Sequence, residues 1–162
     1  MGKTAIYPGS FDPFTNGHLD MIRKAADIFE HVYVVIGVNS AKHRSFPADR
    51  VAAAIEQTLA DNGISNCEVC ICEGLVAEYA RLRGAQYMIR GLRNNMDYNY
   101  EENIAAVNKL INPELEYIYF RANNIAVSSS MVKELLSYGK DISGYVPGAM
   151  LEQISAEGEG QE

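Results

Sequence analysis

The sequence predicts an α/β domain, a doubly wound five-stranded parallel sheet with helices on both faces. Three observations predict it. Extended apolar runs alternate with helix-period patterns along the chain. The run Val32-Tyr33-Val34-Val35-Ile36-Gly37-Val38 is nearly continuous and β-branched, as expected of a strand covered on both faces. A loop bracketed by Gly9 and Gly17 joins the first extended run to a helix, the kind of connection that places ligands at the carboxyl edge of such sheets.

The elements follow in order. Residues 4–7 form the first strand, and Leu19, Ile22, Ala26 and Phe29 lie on one helical stripe. His31 follows as a surface residue capping that helix, and residues 32–38 form the second strand. Asp49 is placed to cap a helix through Val51, Ile55 and Leu59 that stops at Asn62-Gly63. Residues 67–72 are the third strand, residues 75–82 a short helix ended by Gly84, and residues 86–89 the fourth strand. Tyr100, Ile104, Val107 and Ile111 mark the next helix, closed by Asn112-Pro113 before a fifth strand at 115–120. Ser128, Ser129 and Ser130 open a helix through Val132, Leu135 and Leu136, and a last helix covers 149–154. Residues 1–151 read as a single domain and 152–162 as an acidic, largely disordered tail.

Composition narrows the function. The chain has 162 residues, 48% hydrophobic and 22% charged, enough for one packed core. A net charge of −7 argues against a general nucleic-acid or acidic-membrane binder, so an anionic substrate must meet a local cationic cluster. No apolar run approaches the ~20 residues of a membrane span, and the start lacks a secretory hydrophobic region, which predicts a cytoplasmic protein. Cys67, Cys70 and Cys72 lie in an alternating, β-branched context without a nearby histidine, and read as small buried thiols rather than as a metal site.

The chemistry concentrates at strand ends. In Gly9-Ser10-Phe11-Asp12-Pro13-Phe14-Thr15-Asn16-Gly17-His18, two glycines, two hydroxyls and a histidine crowd into one turn. Asp12-Pro13 and Asn16-Gly17 are ordinary turn dipeptides, but helix-start N–H groups favour an anion and His18 adds a titratable donor. After the second strand come Lys42, His43 and Arg44, either a solvated basic loop or a cationic arm over the phosphate site. After the fourth come Arg90-Gly91-Leu92-Arg93, whose guanidinium pair suits bidentate recognition of phosphate oxygens. Asp97 and Glu101 follow, as helix-start acids or, for Glu101, as a carboxylate that holds an arginine in place. The triple Ser128-Ser129-Ser130 exceeds the one serine an N-cap needs. No P-loop, no nucleophile elbow and no Cys–His pair is present, so the donor set suits attack of one phosphate on another substrate's phosphorus without a covalent intermediate.

Residues 9–18, Lys42, the Ile89-Arg90-Gly91-Leu92-Arg93 segment and residues 127–133 together resemble the bacterial phosphopantetheine adenylyltransferases, in order and over roughly residues 3–154. The Thr-x-Gly-His element marks the wider nucleotidyltransferase superfamily, and the resemblance implies its Rossmann-like fold. It also implies transfer of AMP from ATP to 4′-phosphopantetheine, giving dephospho-coenzyme A and pyrophosphate. Mg²⁺ held mainly by the ATP phosphates, a homohexamer and feedback binding of coenzyme A are implied by the family alone. By the same resemblance, His18, Lys42 and Arg93 are catalytic, and Ser10, Lys42, Val76 and Arg90 bind phosphopantetheine. ATP would be contacted by Ser10, Phe11, His18, Gly91, Leu92, Arg93, Glu101, Asn124, Ile125, Ala126, Val127, Ser128, Ser129 and Ser130.

Two departures from the family pattern stand out. Ser40 sits where the family often has proline, and residues 121–126 are shorter than in familiar members and lack their aromatic residue before the serines. Two rivals remain at this level: a sister transferase acting on nicotinamide mononucleotide or forming a CDP-linked product, and a nucleotide-binding module without turnover. Thr15 in place of the histidine usual in the sisters favours the phosphopantetheine branch. The full set of His18, Lys42 and both arginines disfavours mere binding.

Overall fold

The computed structural model describes residues 2–93, 95–123 and 127–159, apart from the side chains of Asn95, Met96, Asp97, Tyr100 and Glu159. The elements are β1 (Thr4–Gly9), α1 (Asn16–Ile28), β2 (His31–Gly37), α2 (Ala48–Asp61), β3 (Cys67–Cys72), α3 (Val76–Leu82), β4 (Tyr87–Leu92), α4 (Asn95–Ile111), β5 (Glu116–Arg121), α5 (Ser129–Ser137) and α6 (Gly148–Glu159). The five strands are parallel in the order β3-β2-β1-β4-β5. The doubly wound sheet expected from the alternation is therefore present, with its order reversing between β1 and β4.

The pleat explains the two layers of helices. Ala5 and Tyr7 point into a core shared with Ile22, Ile55, Val132 and Met150, from α1, α2, α5 and α6. Ile6 and Val35 point the other way, against Ala77 and Ala80 of α3 and Leu115. Val34 and Val35 of the interior strand β2 are both fully buried on opposite faces, which is why that run reads as continuous rather than alternating. Each such aliphatic side chain contributes roughly 1.5–3 kcal/mol by leaving water.

The register between β1 and its two neighbours makes the crevice. β1 pairs with β2 along its whole length, from Thr4↔His31 to Gly9↔Ile36. It pairs with β4 only at Ala5↔Tyr87 and Ile6↔Met88. Beyond that point the sheet splits, at the topological switch point where α/β sheets hold ligands. Thr4 accepts from Gln86 N–H, so the even residues of β1 turn their peptide groups towards β4. Pro8, which has no N–H to offer a ladder, thus faces the split, and a proline is tolerated in a central strand.

Several boundaries differ from expectation. β4 runs through Leu92, because Arg90, Gly91 and Leu92 stay paired to Tyr119, Phe120 and Arg121. Arg90 and Gly91 therefore stand on the strand rather than after it. Pro47 occupies the N-cap position of α2 without a side-chain cap, and Asp49 sits in the first turn, where its charge opposes the helix dipole's positive end. His31 starts β2 instead of capping α1. α6 continues through residue 159, well into the segment expected as a disordered tail. Ile154 packs on the first core and Glu157 pairs with Arg50 at 2.8 Å, which extends the helix. Cys67 packs on one core and Cys70 and Cys72 on the other, so the three thiols do not converge. Burial also pushes the Cys67 thiol up to about 11, an unreactive value. Among the described residues, no helix is long and apolar enough to cross a membrane.

Candidate active site

The first loop builds its histidine into a helix cap. Thr15 is the N-cap of α1, and its hydroxyl accepts from the His18 backbone N–H at 3.4 Å. In return, the Thr15 backbone N–H donates to His18 Nδ1 at 3.0 Å. This is the reciprocal capping box, with imidazole in the place of the usual Glu or Gln. A backbone N–H can only donate, so Nδ1 is the bare nitrogen and the neutral ring carries its proton on Nε2. The cap thus fixes both the orientation of the ring and its tautomer. Phe14 stacks on it at 5.7 Å, and Phe11 meets it edge-on at 4.9 Å.

Phe11 reaches that position through a backbone φ of 46°, in the left-handed region that a bulky residue rarely enters. Its ring lies over Gly9, where a Cβ would come within 3.0–3.2 Å of the ring atoms. Close approach therefore sets Gly9, whereas a Cβ at Gly17 would meet the Val127 carbonyl oxygen at 3.4 Å, an ordinary contact distance.

Enclosure away from water, and after it the Arg90 charge, push His18 down from 6.5 to about 4. The ring is neutral at physiological pH. In the unfolded chain it takes a proton near 6.5, and in the native state only near 4. The unfolded state therefore binds more protons between those values, and stability is intact above that window and lost as pH falls through it. The expected loss is roughly 3 kcal/mol. Urea titrations at pH 7 and pH 4 should show a larger drop in midpoint for the wild type than for His18→Gln; parallel drops would place the acid sensitivity elsewhere.

Arg90 is fixed at three of its five N–H groups. Nε and Nη2 donate to the two Glu101 oxygens at 2.9 and 2.8 Å, and Nη1 donates to the Pro8 carbonyl at 2.8 Å. That last bond bridges the split between β1 and β4, and two N–H groups have no partner among the described residues. The Glu101 side chain is 8% exposed and that of Arg90 28%. Of the two roles open to Glu101, the structure shows it holding the arginine. Burial pushes the neighbouring Tyr7 hydroxyl well above its ordinary range, so it stays neutral.

A second helix start meets the first. Ser128 caps α5 by accepting from Met131 N–H at 3.1 Å, and Ser129 Oγ donates to the Pro13 carbonyl at 2.7 Å. One serine of the triple is thus the expected N-cap, and the next ties α5 to the first loop. Between these elements lies a cleft of about 290 Å³. It is lined by Ser10, Phe11, His18, Arg90, Gly91, Arg93, Glu101, Val127, Ser128 and Ser129 from the sequence-derived set. Residues from three strand ends and two helix starts therefore converge beside the imidazole.

Other expected residues stand apart. Lys42 is exposed and does not line the cleft; its backbone N–H closes a turn onto the Asn39 carbonyl at 2.9 Å. Ser130 is exposed, Leu92 is half-buried, and neither lines the cleft. Val76 begins α3 and packs on the second core. Asn124, Ile125 and Ala126 lie outside the described residues, as do the side chains of Asp97 and Tyr100. Sequence reasoning missed Tyr7, Thr15 and Met21 as lining residues, and Asn123, whose Oδ1 accepts from Lys24 Nζ at 2.8 Å. The Thr15-x-x-His18 spacing was a legible signal for the cap, since it is the capping-box interval.

The parallel sheet splits at its switch point, and a capped histidine, a half-buried arginine and two helix starts stand around the opening; comparison with known proteins names the class. Residues 6–135 match the cytidylyltransferase-like family, so the chain is a nucleotidyltransferase of that family. A solved structure from Vibrio parahaemolyticus, assigned as a nicotinate-nucleotide adenylyltransferase, superposes with a TM-score of 0.74 over 98% of this chain and 94% of its own. At 19% identity it speaks for the fold alone. The phosphopantetheine adenylyltransferase of Cytophaga hutchinsonii is 41% identical over 149 residues, covering 91% of this chain and 98% of the relative. Those of Lacticaseibacillus paracasei and Alkaliphilus metalliredigens are each 40% identical, covering 90% and 94% of this chain and 87% and 98% of their own lengths. Within the nucleotidyltransferases, the chain belongs to the phosphopantetheine adenylyltransferase family.

Proposed function

We propose that this protein transfers the adenylyl group of ATP to 4′-phosphopantetheine, giving dephospho-coenzyme A and pyrophosphate. The observation that carries the reading is the Thr15 N–H bond to His18 Nδ1, which leaves Nε2–H as a fixed donor beside Arg90. A phosphate oxygen of phosphopantetheine attacks the α-phosphorus of ATP. The new P–O bond forms as the bond to the β-phosphate oxygen breaks, and pyrophosphate leaves. The nucleophile is already anionic, so no side chain need take a proton from it. Negative charge on the α-phosphate oxygens is met by Nε2–H, a neutral, preorganised donor.

The family resemblance implies the other roles, and the donor geometry is compatible with them. The two open N–H groups of Arg90 suit the phosphate of phosphopantetheine, with Ser10 beside it. Arg93, at the exposed end of the same strand, suits the β- and γ-phosphates together with Ser129 and the start of α5. Lys42 and Ser130 would join from the rim, Phe11 and Gly91 would pack against the nucleotide, and Val76 would meet the pantetheine arm. Lys42 would have to reach inward from its exposed turn to touch the attacking phosphate. Among the described residues, Glu101 is the one carboxylate lining the cleft and both its oxygens are taken by Arg90, so the described lining offers Mg²⁺ no open carboxylate. We therefore assign that ion to the ATP phosphates and route no step through it. A homohexamer in the cytoplasm, subject to coenzyme A binding, completes the proposal on family grounds.

The test offers ATP, CTP or GTP with either phosphopantetheine or nicotinamide mononucleotide and follows pyrophosphate release. The expected result is release with ATP and phosphopantetheine, and at least about 100-fold less with any other pairing. Comparable turnover of nicotinamide mononucleotide, or preference for CTP, would move the protein to a sister activity; no release at all would make it a binding module.

A further inference from the structure

Asp12 reads in the sequence as half of a turn dipeptide, yet it is 6% exposed and engages a segment more than thirty residues away. Its Oδ2 accepts from the Ser45 backbone N–H and its Oδ1 from that of Phe46, both at 2.8 Å. Lys133 Nζ, on α5, stands 3.8 Å from Oδ2. Two adjacent backbone donors need two acceptors side by side, which a carboxylate supplies. An asparagine would set its own N–H₂ against one of them. Charge-assisted bonds of this kind are about twice as strong as neutral ones.

The segment so held carries Lys42. At its near end Val38 N–H donates to the Cys72 carbonyl at 2.8 Å, and at its far end Phe46 is buried in the first core. Between them Asn39 shapes a turn, accepting from Ala41 N–H at its side chain and from Lys42 N–H at its carbonyl, both at 2.9 Å. The two Asp12 bonds tie residues 45 and 46, three and four positions beyond Lys42, to the loop that carries His18.

We infer that Asp12 is a positioning residue: its carboxylate ties the Lys42 segment to the loop that carries His18 and so sets where the ammonium can meet the attacking phosphate. The inference rests on the role proposed for Lys42. Asp12→Asn should lower kcat/KM for phosphopantetheine by about 10–100-fold while ATP affinity stays within about threefold, since a small misplacement of a substrate-positioning group is enough for such a loss. In a Lys42→Ala background the same substitution should cost less than about threefold, because the two act as one unit. Trypsin should also cut after Lys42 and Arg44 at least about tenfold faster in Asp12→Asn, with the rest of the chain protected.

Equal losses in both backgrounds, or wild-type kinetics for Asp12→Asn, would overturn the inference and leave Lys42 untouched. Wild-type turnover of Lys42→Ala alone would instead remove the reading of Lys42, and this inference with it. If Asp12→Asn does not fold, Ser45→Pro removes one of the two donors from the exposed side and should give the same non-additivity with a smaller loss; additivity there would overturn the inference equally.

Discussion

His18→Ala is expected to lower turnover by about 100- to 1,000-fold, the usual consequence of removing one preorganised donor from a developing negative charge. ATP affinity should change by less than about threefold, because the interaction strengthens only as charge grows on the α-phosphate. The cap complicates this variant: losing Nδ1 leaves the Thr15 N–H without its acceptor, which costs about 1 kcal/mol of stability. His18→Gln separates the two effects. Glutamine three residues after a threonine N-cap makes the same reciprocal bond, so the fold should keep its urea midpoint while turnover falls as in the alanine variant. Steady-state pyrophosphate release and equilibrium ATP titration of both variants decide the matter. A glutamine enzyme within tenfold of wild type, or equal losses of affinity and rate, would remove His18 from the transition state.

What the sequence made legible, and what it hid, divides along local and non-local physics. Val34 and Val35 face opposite cores, and that two-sided burial is written in their neighbours as an unbroken apolar run. The helix start at His18 was legible because caps are local. The split of β1 from β4 after Ile6 and Met88 was not, since pairing register depends on strands eighty residues apart. For the same reason Arg90 was expected beyond its strand: nothing near it in sequence reveals that Tyr119 keeps it paired. Asp12 was hidden because its local context, a residue before proline, already explains an aspartate. Of the two readings of Glu101, only a contact across eleven residues decides. The segment at 152–159 was judged by its charge, and the apolar Ile154 that seats the helix carried the opposite signal.

Glu101→Ala tests the buried pair, and it should be the most destabilising single change in the site. Removing one partner leaves a mostly buried guanidinium uncompensated, and such losses run at about 3–5 kcal/mol. With the Arg90 side chain 28% exposed, some solvation is regained and the lower end is expected, about 3 kcal/mol. The KM for phosphopantetheine should rise as well, because Arg90 keeps only the Pro8 bond and loses the orientation of its two open N–H groups. Replacing both residues, as Arg90→Met with Glu101→Leu, separates stability from function. An apolar pair of similar volume removes the desolvation penalty, so the urea midpoint should recover most of the loss, while turnover stays at or below that of Glu101→Ala. The opposite outcome, a double variant that is unstable yet active, would mean that the ion pair holds the crevice together and that the substrate's phosphate is bound by other donors.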